Sequence, residues 1–264
     1  MPVMTSMNVV EAISSENVRR VSLEEANEYI ELTRVSAPKI ANGVSACILS
    51  PVLLIFLSGL TAVSGSLITD SVAAAIGVIV LLVMVATAVY VFIVYGSRLK
   101  KYEYIEKEII ETAYGVDGMV QERMKSMESR KTSYTAIGVL MCILSSVPLL
   151  ICACLNLSEF IIVSMVCVLI IIIAIAVNIF VRVGSEWKCC EQLLQVGEYT
   201  SNDKRVNKRV EKISGIYWAV VLAGYLAWSF ITMRWDNTWI VWPVAAVFFG
   251  AITCVIKAIY KDNN

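Results

Sequence analysis

The chain has 264 residues, of which 58% are hydrophobic and 17% charged, with 22 basic and 22 acidic side chains and no histidine. So apolar a composition excludes an ordinary soluble domain, and a net charge of zero leaves no overall basic footprint for nucleic acid. The lack of histidine removes the commonest general base and metal ligand before any motif is considered.

Residues 1–39 are polar and contain no short apolar core of the kind a cleavable signal carries, so the first apolar stretch must itself direct insertion. Residues 1–20 show no strong period and are expected to form a linker. Ser22 and Glu25 have capping-box spacing ahead of Leu23, Ala26 and Ile30, which predicts a short helix.

Six charge-free stretches follow, at 40–69, 71–97, 132–158, 160–181, 213–233 and 237–256. The shortest has 20 residues, enough for a helix to cross a hydrocarbon core of roughly 30 Å. They pair into three expected hairpins, 40–97, 132–181 and 213–259, with polar segments at 98–131 and 182–212 and a tail at 260–264. The expected fold is all-α: an integral membrane bundle of six transmembrane helices, arranged as three hairpins, with amphipathic cytoplasmic helices.

Charge placement orients this bundle. With short outer loops around Asp70, around Glu159 and at Arg234-Trp235-Asp236, 21 of the 22 Lys and Arg residues fall on the other side. The positive-inside rule then puts both termini in the cytoplasm, in a multi-pass protein of the cell membrane.

The chain also repeats itself. Gly43-Val44 and Cys47-Ile48-Leu49-Ser50 recur 95 positions later as Gly138-Val139 and Cys142-Ile143-Leu144-Ser145. Phe92 and Gly96-Ser97 recur 88 positions later as Phe180 and Gly184-Ser185. The second hairpin therefore reads as a parallel repeat of the first, since two crossings return the chain to the same side.

In the polar segments, Leu99, Tyr102, Ile105 and Ile109 fall at helical spacing among charged residues, which predicts an amphipathic helix ended by Gly115 and Gly118. Trp187, Cys190 and Leu194 repeat the pattern ahead of the basic cluster Lys204-Arg205 and Lys208-Arg209.

No motif for chemistry emerges, and no catalytic, cofactor-binding or metal-binding residue is assigned. Six of the eight cysteines lie in the apolar stretches, and the pair Cys189-Cys190 has neither histidine nor a spaced second pair to complete a zinc or redox motif. The six stretches hold no Asp, Glu, Lys, Arg or His, which argues against proton relay and intramembrane proteolysis. Asn178 is the most polar residue deep in a late stretch and is expected to make an intramembrane hydrogen bond; Asn42 is expected to face the headgroups.

Small residues mark expected helix-packing faces: Gly215, Ala219, Ala223 and Ala227 in the fifth stretch, Ala73 and Gly77 in the second, and Ala246 and Gly250 in the sixth. Packing within the monomer is the simpler reading of these faces, and a homodimer is the alternative. Pro51, Pro148 and Pro243 are expected kinks, and Trp235, Trp239 and Trp242 an interfacial aromatic belt.

Several runs carry a resemblance. These are Leu23-Glu24-Glu25-Ala26-Asn27-Glu28-Tyr29, Lys101-Tyr102-Glu103-Tyr104-Ile105-Glu106-Lys107-Glu108, Tyr114-Gly115-Val116-Asp117-Gly118-Met119-Val120, Ile213-Ser214-Gly215-Ile216-Tyr217-Trp218 and Trp239-Ile240-Val241-Trp242-Pro243-Val244. Together, from Val21 onward, they resemble the multi-pass membrane region of XRE-type helix-turn-helix transcriptional regulators of Firmicutes. The resemblance implies a regulatory role. The 39 residues before the first stretch are too few for the multi-helix DNA-binding domain that precedes the membrane region in those proteins, so no nucleic-acid binding is expected of this chain as given.

The expected function is thus a non-enzymatic sensory or regulatory membrane module. Its expected partners are the lipid bilayer and a cytoplasmic protein, and it needs no cofactor. The alternative is a small transporter or the membrane subunit of a transport complex.

Overall fold

In the computed structural model, residues 18–63, 69–155, 157–233 and 235–261 are described. Most of the linker expected at 1–20, the connection at 64–68, Arg234 and the end of the tail lie outside them. The element order is β1 (Arg19–Val21), α1 (Leu23–Leu49), α2 (Val52–Val63), α3 (Asp70–Lys100), α4 (Glu103–Lys107), β2 (Ile110–Thr112), α5 (Val116–Ser145), α6 (Val147–Cys154), α7 (Glu159–Leu194), a 3-10 turn (Gly197–Tyr199), α8 (Ser201–Thr232), α9 (Trp235–Thr238) and α10 (Val241–Lys261).

Among the described residues the protein is all-α apart from two three-residue strands, and six helical stretches there are long and apolar enough to cross a membrane, as in a multi-pass membrane protein. Their surfaces carry the hydrophobic side chains outward: Ile79, Leu82 and Val83 on α3 and Leu140, Ile143 and Leu144 on α5 are all exposed. Such apolar belts are costly in water and suit a hydrocarbon solvent.

The chain divides into two compact units, Met1–Tyr104 with Ile110–Leu194, and Ile105–Ile109 with Gln195–Asn264. In the first, α7 packs against α1, α5, α2 and α6, and α3 packs against α1 and α2. In the second, α8 packs against α10.

The repeated residues make repeated contacts. Phe92 lies over Gly43, where a Cβ would meet its ring at 2.8 Å, and Phe180 lies over Gly138 in the same way. The shared Ser of each motif donates to the shared Cys carbonyl, Ser50 to Cys47 at 2.8 Å and Ser145 to Cys142 at 2.7 Å. Both bonds sit where the long helix breaks. Pro51 lacks the N–H that the Cys47 carbonyl would otherwise accept, and the Ser50 hydroxyl takes its place. Pro148 falls at the start of α6, just past the break after Ser145, while Pro243 sits in the first turn of α10 without interrupting it.

The polar segments differ from expectation. The predicted amphipathic helix over Leu99–Ile109 is instead the end of α3, the five-residue α4 and the two residues that lead into β2, because Tyr102 and Ile105 are fully buried rather than laid along a surface. Gly115 does end that segment, at φ +93°, a conformation glycine adopts freely. Gly118 lies inside α5 and breaks nothing. The helices of the first, third and fourth stretches run on past their apolar parts, so that α1 begins at Leu23, α5 begins at Val116 and α7 ends at Leu194.

An added methyl group at Gly138 must push the Phe180 ring aside, so Gly138→Ala is expected to cost about 1–3 kcal/mol as overpacking. Gly96→Ala points into open space and is the control. Thermal melts in mild detergent should show a clear drop for the first and none for the second. Trimming the ring as well, in Gly138→Ala/Phe180→Leu, should recover part of the loss.

Candidate functional site: the charged end of the first unit

The most deeply buried large side chains of the first unit are not in its apolar stretches. Val21, Tyr102, Val116, Val120, Gln192 and Leu193 all lie in the polar segments. They form a water-type core at the charged end of the helices, each apolar member contributing about 1.5–3 kcal/mol by leaving water.

The chain enters this core through β1, which pairs in parallel with β2 in the register Arg19↔Ile110 and Val21↔Thr112. Ser22 then caps α1, its Oγ accepting from the Glu25 N–H at 3.1 Å. The reciprocal half of a capping box is not made. The Glu25 carboxylate instead accepts from Arg19 at 3.3 Å and from the Tyr104 hydroxyl at 2.6 Å, and the Arg19 guanidinium lies 3.7 Å from the Tyr104 ring centroid. Burial, and then the Glu25 bond, push the Tyr104 phenol well above its usual pKa, so it stays a donor.

One turn further along α1, Tyr29 donates to the Gln192 Oε1 at 2.7 Å and its ring lies 5.1 Å from that of Tyr102. Glu31 accepts from Arg123 of α5 at 3.1 Å and pairs with Arg34 at 3.6 Å. Lys101, at the end of α3, donates to Glu28 at 3.1 Å. Residues from α1, α3, α5 and α7 are thus tied together within a few turns.

At the apolar boundary, the Asn178 amide of α7 donates to Asn42 Oδ1 at 3.0 Å and to Ser45 Oγ at 2.9 Å. Asn42 also accepts from Arg182 at 2.9 Å. Ser45 lies 3.1 Å from the Ala174 carbonyl, which completes a polar seam between α1 and α7. Asn42 therefore joins Asn178 rather than facing outward alone.

The small-residue faces separate into two groups. Ala73 is buried, and Gly77 admits Leu54 of α2 so closely that a Cβ would meet its Cα at 2.8 Å. In the second unit Ala219, Ala223, Ala227 and Ala246 are exposed, and Gly215 and Gly250 have open space around them. Aromatic side chains hold α8 to α10 instead. Tyr217 donates to the Ala245 carbonyl at 2.6 Å, and Trp242 lies 6.2 Å from Trp218 and 5.5 Å from Tyr225. Trp235 packs on Phe230 at 5.3 Å.

Cys189 and Cys190 are both buried in the charged-end core. Burial pushes the Cys189 thiol up to about 12 and raises that of Cys190 as well, so neither is a thiolate near neutral pH. Among the described residues, no group of three or more Cys, Asp or Glu side chains is placed to hold a metal ion. Sequence reading missed Tyr29, Gln192 and the Glu31–Arg123 pair. Their only signal was polar or aromatic character on helices whose register toward one another the sequence does not reveal.

In the second unit Lys204 is buried and donates to the carbonyls of Ile105 at 2.7 Å and Glu108 at 2.9 Å, closing the end of α4. Burial pulls its pKa from 10.5 down to about 8, against the opposing pull of Glu106.

No family model, curated protein or solved structure matches this chain. The geometry is therefore the ground for its function.

Two outcomes follow from the buried titratable groups. Cys189 and Cys190 should resist a water-soluble maleimide at neutral pH in the folded protein and react once it is denatured, as read by mass spectrometry. For Lys204, the unfolded chain holds more protons than the native state between pH 8 and 10.5. Raising the pH through that window should stabilise the second unit. Denaturant melts followed through the tryptophans of α8–α10 should show this, and Lys204→Met should abolish it.

Proposed function

We propose that the chain is a non-enzymatic regulatory module of a bacterial cell membrane. In this reading three hairpins span the bilayer, both termini are cytoplasmic, and the charged-end core passes a signal from the bilayer to a cytoplasmic protein. The observation that carries it is continuity: α1, α5 and α7 each run unbroken from an apolar stretch into the charged-end core. Their projecting ends are then joined by the Tyr29–Gln192 bond and the Arg123–Glu31 pair. A tilt or shift of one helix in the bilayer therefore has a rigid path to that core.

That 21 of 22 basic residues fall in alternate segments between the apolar stretches, leaving Arg234 alone in the others, supports the cytoplasmic assignment. The resemblance to the membrane region of XRE-type regulators supports regulation as the role. The contact offered to a partner is the turn between β2 and α5, where Tyr114 projects fully exposed. A lone aromatic held out in water is the kind of anchor that protein interfaces bury.

A photoreactive phenylalanine analogue in place of Tyr114, in the full chain in its native membranes, should give a discrete adduct with a cytoplasmic protein. The same analogue at Ile79, on the apolar face of α3, should give none. Absence of any adduct from positions throughout 98–131 and 182–212 would overturn the signalling role. Tyr114→Cys should react with an impermeant maleimide only after cells are opened; labelling of intact cells would overturn the orientation.

A further inference from the structure

Two adjoining cavities open among α1, α5 and α7 where their apolar stretches meet the charged end. One, of about 340 Å³, is walled by Pro38, Tyr134, Ile179 and Val183 on its apolar side and by Lys131 and Arg182 on its charged side. The other, of about 240 Å³, lies toward the charged-end core and is lined by Arg34, Arg123 and Thr33. Arg130 and Glu186 line both, so the two form one groove that is apolar at one end and basic at the other.

Five cations face this groove against one lining carboxylate, Glu186. Glu31 answers Arg34 and Arg123 from outside the lining. Arg182 donates to Asn42, and Lys131 sits 3.7 Å from the centroid of the Trp187 ring. The Arg130 side chain makes no hydrogen bond or ion pair with any other described residue. Thr33 is 5% exposed and its Oγ1 is turned to the Cys189 thiol, closed off from the cavity, so the groove's polar character comes from its cations.

We propose that this groove is a binding site for an anionic phospholipid, with the headgroup phosphate held by Arg130 together with Arg182, and an acyl chain along Ile179 and Val183. A guanidinium offers the fork geometry that phosphate oxygens accept. Basic pockets between spans at the cytoplasmic surface are suited to acidic lipid headgroups. A free phosphate ion would meet the same cations but would gain nothing from the apolar wall. The proposal rests on the membrane placement of the charged end given above, and not on the signalling role.

The test is native mass spectrometry of the full chain in mild detergent, offered equal amounts of phosphatidylglycerol and phosphatidylcholine with matched acyl chains. One phosphatidylglycerol should be retained in preference. Arg130→Gln should cut that preference about fivefold, the weight of one interfacial cation, while leaving the melting temperature unchanged. Arg20→Gln, on the exposed strand β1, should leave the preference intact.

Equal retention of the two lipids, or an equal loss in the Arg20 and Arg130 variants, would overturn the site. Displacement of the lipid by excess inorganic phosphate would overturn the lipid assignment in favour of a free anion. Lipid bound at Arg130 with no protein adduct from any position throughout 98–131 and 182–212 would keep this site and remove the signalling role.

Discussion

Helix α7 has 36 residues, which is about 54 Å of helix against a hydrocarbon core of roughly 30 Å. That surplus is the constraint on which the first unit depends. A helix that long cannot finish at the membrane surface, and its last turns must find a fold in water. They do so by burying Gln192 and Leu193 beside Tyr29 and Tyr102, and the overlong ends of α1 and α5 join them there. Two solvents thus act on one helix. Along its apolar length, close contacts such as Phe180 over Gly138 and the bonds of Asn178 hold it, because lipid gives no hydrophobic drive between helices. Beyond that length the ordinary hydrophobic effect returns.

Burial governs the titration of three side chains in the charged-end core. Burial keeps the Cys189 and Cys190 thiols and the Tyr104 phenol protonated, so none is a nucleophile near neutral pH. In the proposed role, the hydrogen bonds and ion pairs of this core are what would carry a helix movement onward. In the groove at Arg130 charge is present without a protein counterpart, and that is where an outside molecule has most to offer.

Much of the architecture was legible in the sequence, for identifiable reasons. Charge-free runs long enough to span, and the Ser22 cap, are local properties that survive folding unchanged. The repeat was legible as text, and the Phe92–Gly43 and Phe180–Gly138 contacts give its physical meaning. What stayed hidden depends on the rotation of one helix against another. No pattern along the chain shows that Asn42 turns toward Asn178, or that Glu31 meets Arg123 across 92 positions. The three-residue strands were invisible because β1 and β2 are too short for a period of two to register. The small-residue stripe of α8 was legible as a pattern, but the aromatic rings of the opposite face do the packing within its unit.

The helix pair that recurs in this chain, with the same ring on the same glycine, meets its copy head to tail: α1 and α2 of the first pair pack on α7 of the second, with no comparable contact between α3 and α5. A contact of that kind joins two unlike faces, so each can change without altering the other. By the spacing of the repeat, the positions of Asn178 and Arg182 correspond to Tyr90 and Val94 in the first copy. The polar, basic seam between α1 and α7 therefore belongs to one face of the second pair alone, and its bonds fix which face meets the first.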